Sequence, residues 1–269
     1  MQAVRQQTLA GTLAALLLFA PTQVVPAQRT PLKPGWNIFS PRQDVQIGHE
    51  VSAEAERELP LLGNPRVDAY LNVLGQRLAA YVPGHKFPYQ FKGVNDAAIN
   101  AFALPGGVIY INRGLIEAAD NEAQLAGVVA HEISHVALRH GTNQLTKALA
   151  WRAPLMLLGG LIGDSGSLTG QLAQLGLAVG FTAIFLKYSR TAESQADVLA
   201  TQLLFDAGYE PRQMAAFFEK IERSERTPGI VEFFSDHPNP GNRVKRVEEE
   251  ITRLGGRSGP KKDSEHFQL

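Results

Sequence analysis

The sequence predicts a mainly helical α+β domain with a small sheet. Three observations predict it. Most stretches between Gln43 and Arg223 space their apolar residues at helical intervals. Only Phe87–Val94 and Gly107–Asn112 alternate like strands, the second after a Pro-Gly-Gly turn. Hydrophobic residues make up 44% and charged residues 19% of the 269, enough apolar material for one core and too much for a disordered chain.

The elements follow in order. Residues 1–27 read as a signal peptide, with Arg5 ahead of the apolar run Leu9–Ala20 and the small-residue site Val25-Pro26-Ala27. That run is shorter than the roughly 20 residues a membrane span needs, although an uncleaved anchor is the alternative. Residues 28–42 contain several prolines and read as an extended lead-in to a domain over 43–254. A helix is expected from Gln43 to Leu59, stopped by Pro60. A second runs from Pro65 to Tyr81, with Pro65 in the first turn and Val67, Tyr70, Leu71, Leu74 and Leu78 on one face. After the strands, helices are expected to dominate over 113–120, 122–140, a long apolar region to Leu186, 190–207 and 211–223, and a disordered tail over 255–269. No repeat of 20 to 50 residues is visible.

Basic and acidic residues balance at 26 each, which gives no electrostatic reason to expect nucleic acid as a partner. Cysteine is absent, so disulfides, a thiol nucleophile and a thiolate metal site are excluded. Any metal must be held by His, Asp or Glu.

The motif His131-Glu132-Ile133-Ser134-His135 lies in an apolar, helical stretch. A spacing of four puts both imidazoles on one helix face, near enough to share one Zn²⁺, with Glu132 beside them to take a proton from water. A buried Glu and two buried His are costly alone, and a metal compensates all three. A hydrolytic zinc site usually adds a third protein ligand. Glu193 is the candidate, on the stretch Arg190–Asp197. Asp197, one turn on, is then placed to accept the free N–H of a ligating histidine. His49, His85 and His266 carry no partner pattern, and His140 reads as the end of the metal helix, where a cation suits the dipole. His237, before Pro238, is either a turn residue or a fourth ligand that must leave for water to act.

Four ordered motifs resemble the Ste-type and HtpX-like zinc endopeptidases, including their BepA-like periplasmic branch, without a helical-repeat domain. They are Asn100–Leu115, Glu122–Val136, Glu193–Asp197 and His237–Arg243, and the likeness covers roughly Gln43 to Glu248. The resemblance implies a zincin-like metalloprotease domain with one zinc per chain on His131, His135 and Glu193. It implies Glu132 as the base, Asp197 behind a ligand, and His237 and Arg243 near the metal. Val108, Ile109, Tyr110, Ile111 and Asn112 resemble the edge strand that aligns an extended substrate. The activity implied is proteolysis of unfolded or misassembled envelope proteins by an exported, periplasmic or envelope-associated enzyme. A chaperone-like module with a plugged zinc site is the alternative, which an intact Glu132 disfavours. Leu168–Leu186 holds 19 uncharged residues, but a span there would separate His135 from Glu193. It reads as a buried or membrane-surface element, with peripheral membrane contact expected.

Overall fold

The computed structural model describes residues 28–159, 188–223, 235–238, 241–256 and 263. The expected signal peptide, nearly all of the tail and the apolar run Leu168–Leu186 lie outside them. Among the described residues no helix is long and apolar enough to cross a membrane.

The chain is mainly helical. Helices α1 (Pro41–Ala55) and α2 (Pro65–Ala79) precede three strands, β1 (Gln90–Val94), β2 (Ala101–Ala103) and β3 (Val108–Asn112). Then come α3 (Arg113–Ala118), α4 (Glu122–Ala137), α5 (His140–Gly159), α6 (Arg190–Asp206), α7 (Arg212–Arg223) and α8 (Arg243–Arg253). Local signals set the ends. Ser40 and Gln43 form a capping box at α1, and Pro41 sits in its first turn, two residues earlier than expected. Asn64 caps α2, Asn121 caps α4 by accepting from Gln124 N, and Ser189 caps α6 by accepting from Ala192 N.

β3 pairs with β1 in parallel and with β2 in antiparallel. The expectation of an edge strand at Val108–Asn112 is thus corrected: β3 is the middle strand, buried along its whole length. Alternation explains its even burial. Ile109 and Ile111 face the main core with Phe91 and residues of α2, α4, α6, α7 and α8. Val108 and Tyr110 face a second cluster with Ile47 and Val51 of α1 and Leu145 and Leu149 of α5. Gly48 lets α1 lie on the turn before β3, since a Cβ there would stand 1.9 Å from Pro105 O.

The outer side of β1 is closed by its own helix. Asn72 of α2 donates to Phe91 O and accepts from Phe91 N, Asp68 accepts from Gly93 N, and Leu62 N donates to Gly93 O. β2 is different. The bonds Asn112 N to Asn100 O and Leu104 N to Val108 O bracket it, so the peptide groups of Ala101 and Ala103 turn away from β3. Among the described residues no strand pairs with that side. The lead-in straps α6 to α8: Arg29 pairs with Asp206 at 2.5 Å, and buried Glu250 accepts from Thr30 N at 3.0 Å and Gln202 Nε2 at 2.6 Å.

Candidate metal centre

Helix α4 is buried from Glu122 to Val136, as a helix that runs through the middle of a domain is. It carries His131, Glu132 and His135 into the core, where α6 packs alongside with Glu193 and Asp197, all fully buried. His237, also buried, enters from the turn at 235–238, and Arg243 from the start of α8. The structure therefore brings together every residue singled out around the motif. The strand Val108–Asn112 is the exception, since its neighbour β2 takes the edge.

The two ring nitrogens His131 Nε2 and His135 Nε2 face each other at 3.0 Å. Glu193 Oε2 lies 3.2 Å from the first and its Oε1 3.3 Å from the second. His237 Nδ1 is 3.2 Å from Glu193 Oε1, and His237 Nε2 is 3.5 Å from Glu132 Oε1. One ligand atom from each of His131, His135, Glu193 and His237 falls within 4.8 Å of all the others, so the four can hold a metal ion.

Charge supports that reading. Both carboxylate oxygens of Glu132 are buried and accept no hydrogen bond from the described residues. Burial raises the Glu132 carboxyl, partly opposed by His237 and His131. Burial also presses on Glu193, but His237 and His131 hold it well below the usual carboxylate range. Burial disfavours a charged His131, yet Glu193 and Asp197 outweigh it and raise the group to about 9. Burial holds His135 well below its ordinary value and pushes His140 down to about 4. Uncompensated buried charges cost several kcal/mol each, whereas structural zinc supplies on the order of 10 kcal/mol. A cation at the centre resolves the conflict. An all-nitrogen and oxygen donor set of two or three His and one Glu fits zinc.

The surroundings orient the donors. Asp197 Oδ1 lies 3.2 Å from His131 Nδ1, while its Oδ2 accepts from Arg243 Nε at 2.9 Å. Arg243 also reaches Glu193 Oε2 at 3.4 Å and stacks over Phe218 at 3.9 Å, and Phe218 meets the His131 ring edge-on. Tyr188 stacks on His135 with centroids 3.7 Å apart, and its N–H donates to Asp236 O. Sequence reasoning missed Tyr188, Phe218 and His140. His140 does not end the metal helix: α4 stops at Ala137, and His140 opens α5 as a buried neutral ring.

Comparison with known proteins now bears on this geometry. The profile of peptidase family M48 matches residues 65–251. The chain belongs to peptidase family M48. Within the family, it is 32% identical over 211 residues to a beta-barrel assembly-enhancing protease of Escherichia coli (strain K12), covering 75% of this chain and 42% of that one. It is 32% identical over 216 residues to the protein of the same name from Yersinia pestis, with the same coverage. It is also 27% identical over 181 residues to the mitochondrial metalloendopeptidase OMA1 of Schizosaccharomyces pombe, covering 67% of this chain and 52% of the relative. The chain thus spans about half the length of the curated relatives it matches.

Proposed function

We propose that this chain is a zinc-dependent endopeptidase that hydrolyses peptide bonds in unfolded or misassembled envelope proteins. The observation that carries the proposal is the buried Glu132 carboxylate, without a hydrogen-bond donor among the described residues, beside four convergent ligand atoms. His131, His135 and Glu193 would hold the zinc. Bound there, zinc would supply Lewis acidity toward the scissile carbonyl and the attacking water. Glu132 takes the proton of that water and passes it to the leaving amine. A carboxyl raised by burial suits both halves of that exchange, because a base and its conjugate acid work best near the operating pH. Asp197 and Arg243 hold His131 and Glu193 in place. No strand among the described residues pairs with the outer side of β2, so an extended peptide would pair there once the groups that bury Ala101 and Ala103, including Asn100 Oδ1 on the Ala101 N–H, give way. The envelope assignment is supported by the leader-like residues 1–27 and by relatives named for beta-barrel assembly.

Casein cleavage and metal analysis of the purified protein test this. The protein should carry one zinc and lose cleavage to a chelator. Glu132→Gln should keep the zinc and fall at least about 10²-fold in turnover, the lower end for lost proton transfer. His131→Ala should lose the zinc. Cleavage indifferent to chelation, or zinc retained in His131→Ala, overturns the assignment.

A further inference from the structure

On an unbroken helix, residues five apart point about 140° away from each other, so His140 would not meet His135. The break after α4 changes that. Arg139 adopts a left-handed φ of 56°, a conformation uncommon for a side-chain-bearing residue. Its guanidinium is held by Asp44 at 2.6 and 2.9 Å and by Phe39 O at 2.5 Å, which fixes the kink against the start of α1. The chain folds back there, and His140 Nδ1 comes to 3.0 Å from His135 Nδ1. On its other side, His140 Nε2 lies 3.2 Å from Gln195 Oε1 of α6.

We propose that His140 and Gln195 form a tautomer relay that holds the His135 proton on Nδ1 and frees His135 Nε2 for metal. It rests on the zinc reading above. A carbonyl oxygen can only accept, so Gln195 Oε1 requires the proton of neutral His140 on Nε2. His140 Nδ1 then carries a lone pair and accepts from His135 Nδ1–H. That leaves the lone pair of His135 on Nε2, which faces His131 Nε2 at 3.0 Å and Glu193 Oε1 at 3.3 Å. Were the Gln195 amide turned, its NH₂ would donate to His140 and drive each proton to the opposite nitrogen. His135 would then present N–H where the metal must bind. Helix α6 therefore governs both histidines: Asp197 backs His131 directly, and Gln195 backs His135 through His140. His140 and Gln195 are positioning residues, since neither reaches the metal position.

Zinc affinity, measured by competition with a chromogenic chelator, tests the relay without using activity. His140→Phe fills the space but cannot accept, and should bind zinc about 10- to 100-fold more weakly, as the loss of such orienting partners typically does. His140→Asn, whose Oδ1 stands where Nδ1 stood, should stay near wild type. A packing role would reverse that ranking. Imidazole ¹⁵N spectra of the wild type give a second readout: His140 should be protonated on Nε2 and bare on Nδ1, with and without zinc. A His140 proton on Nδ1 overturns the relay, as does wild-type affinity in His140→Phe or an Asn variant as weak as Phe. Should His140→Phe fail to fold, the wild-type spectra decide. Wild-type protein that takes up no zinc would count against the zinc reading, and the metal-free His140 spectrum would still judge the relay.

Discussion

At His237 the two carboxylates of the centre meet one imidazole, with Glu193 Oε1 3.2 Å from Nδ1 and Glu132 Oε1 3.5 Å from Nε2. Burial opposes a proton on this ring, but Glu132 and Glu193 outweigh it and raise the group. With zinc present, the same nitrogens are placed either to complete a four-ligand site or to donate to the oxygen of the substrate carbonyl. The first role fills the position that water needs, and the enzyme idles at rest. The second strengthens in the transition state, and its loss typically costs about 10²- to 10³-fold in turnover. The two give opposite signs for one variant. The ring belongs to the convergent ligand set and is fully buried, so the resting-ligand role is the expected one. His237→Ala should accordingly cleave an unstructured substrate faster than wild type at equal zinc loading. A fall at unchanged zinc content assigns the oxyanion role, and an unchanged rate removes both.

The helices were legible from sequence where apolar residues recur at 3.6-residue intervals and capping residues stand at the ends, as in α2 and α4. β2 was not: Ala-Phe-Ala is three residues long and takes its strand character from pairing with Ile109–Ile111. α8 was missed because most of its residues are charged, and its buried apolar side chains are only Val247 and Ile251. The break at Arg139 carries neither Gly nor Pro, so no local signal announces it. Gly127 in α4 shows how one such detail sets the spacing of elements. A Cβ there would stand 2.7 Å from Met214 Cβ and 2.8 Å from Met214 Cα, so α7 lies on α4 without a side chain between them. The same approach seats Phe218 against His131. Gly127→Ala should force the two helices apart and lower stability by about 1–3 kcal/mol, the usual cost of overpacking. Urea unfolding measures it. An unchanged midpoint would mean that α7 yields freely and that Gly127 does not fix the helix pair.

Across the whole molecule, the residues that a motif can name were legible: a helix with two His and a Glu, a second helix with Glu193 and Asp197, and a turn with His237 ahead of Arg243. The relay and the ring of Tyr188 were not, because they exist only once α5 folds back beside α6 and the turn at 235–238 closes over them. The buried centre also links the fold to pH. For His140, folded near 4 against an ordinary 6.5, the unfolded chain binds a proton between those values that the folded chain refuses. Stability from this group is therefore complete above 6.5 and is lost as pH falls toward 4, by on the order of 3 kcal/mol. His131 works the other way: raised to about 9, it contributes fully below 6.5, and that contribution fades as pH rises through 9. Metal-free protein should thus be most stable near pH 6.5 and weaken on both sides. On the proposed zinc assignment the metal would take the place of the His131 proton, so the loaded protein should lose the alkaline decline and keep the acid one. Urea midpoints of the metal-free wild type and His140→Phe between pH 5 and 7 isolate the His140 part. The variant, with no ring to protonate on unfolding, should give the shallower acid slope, and parallel slopes would show that His140 does not carry the acid sensitivity.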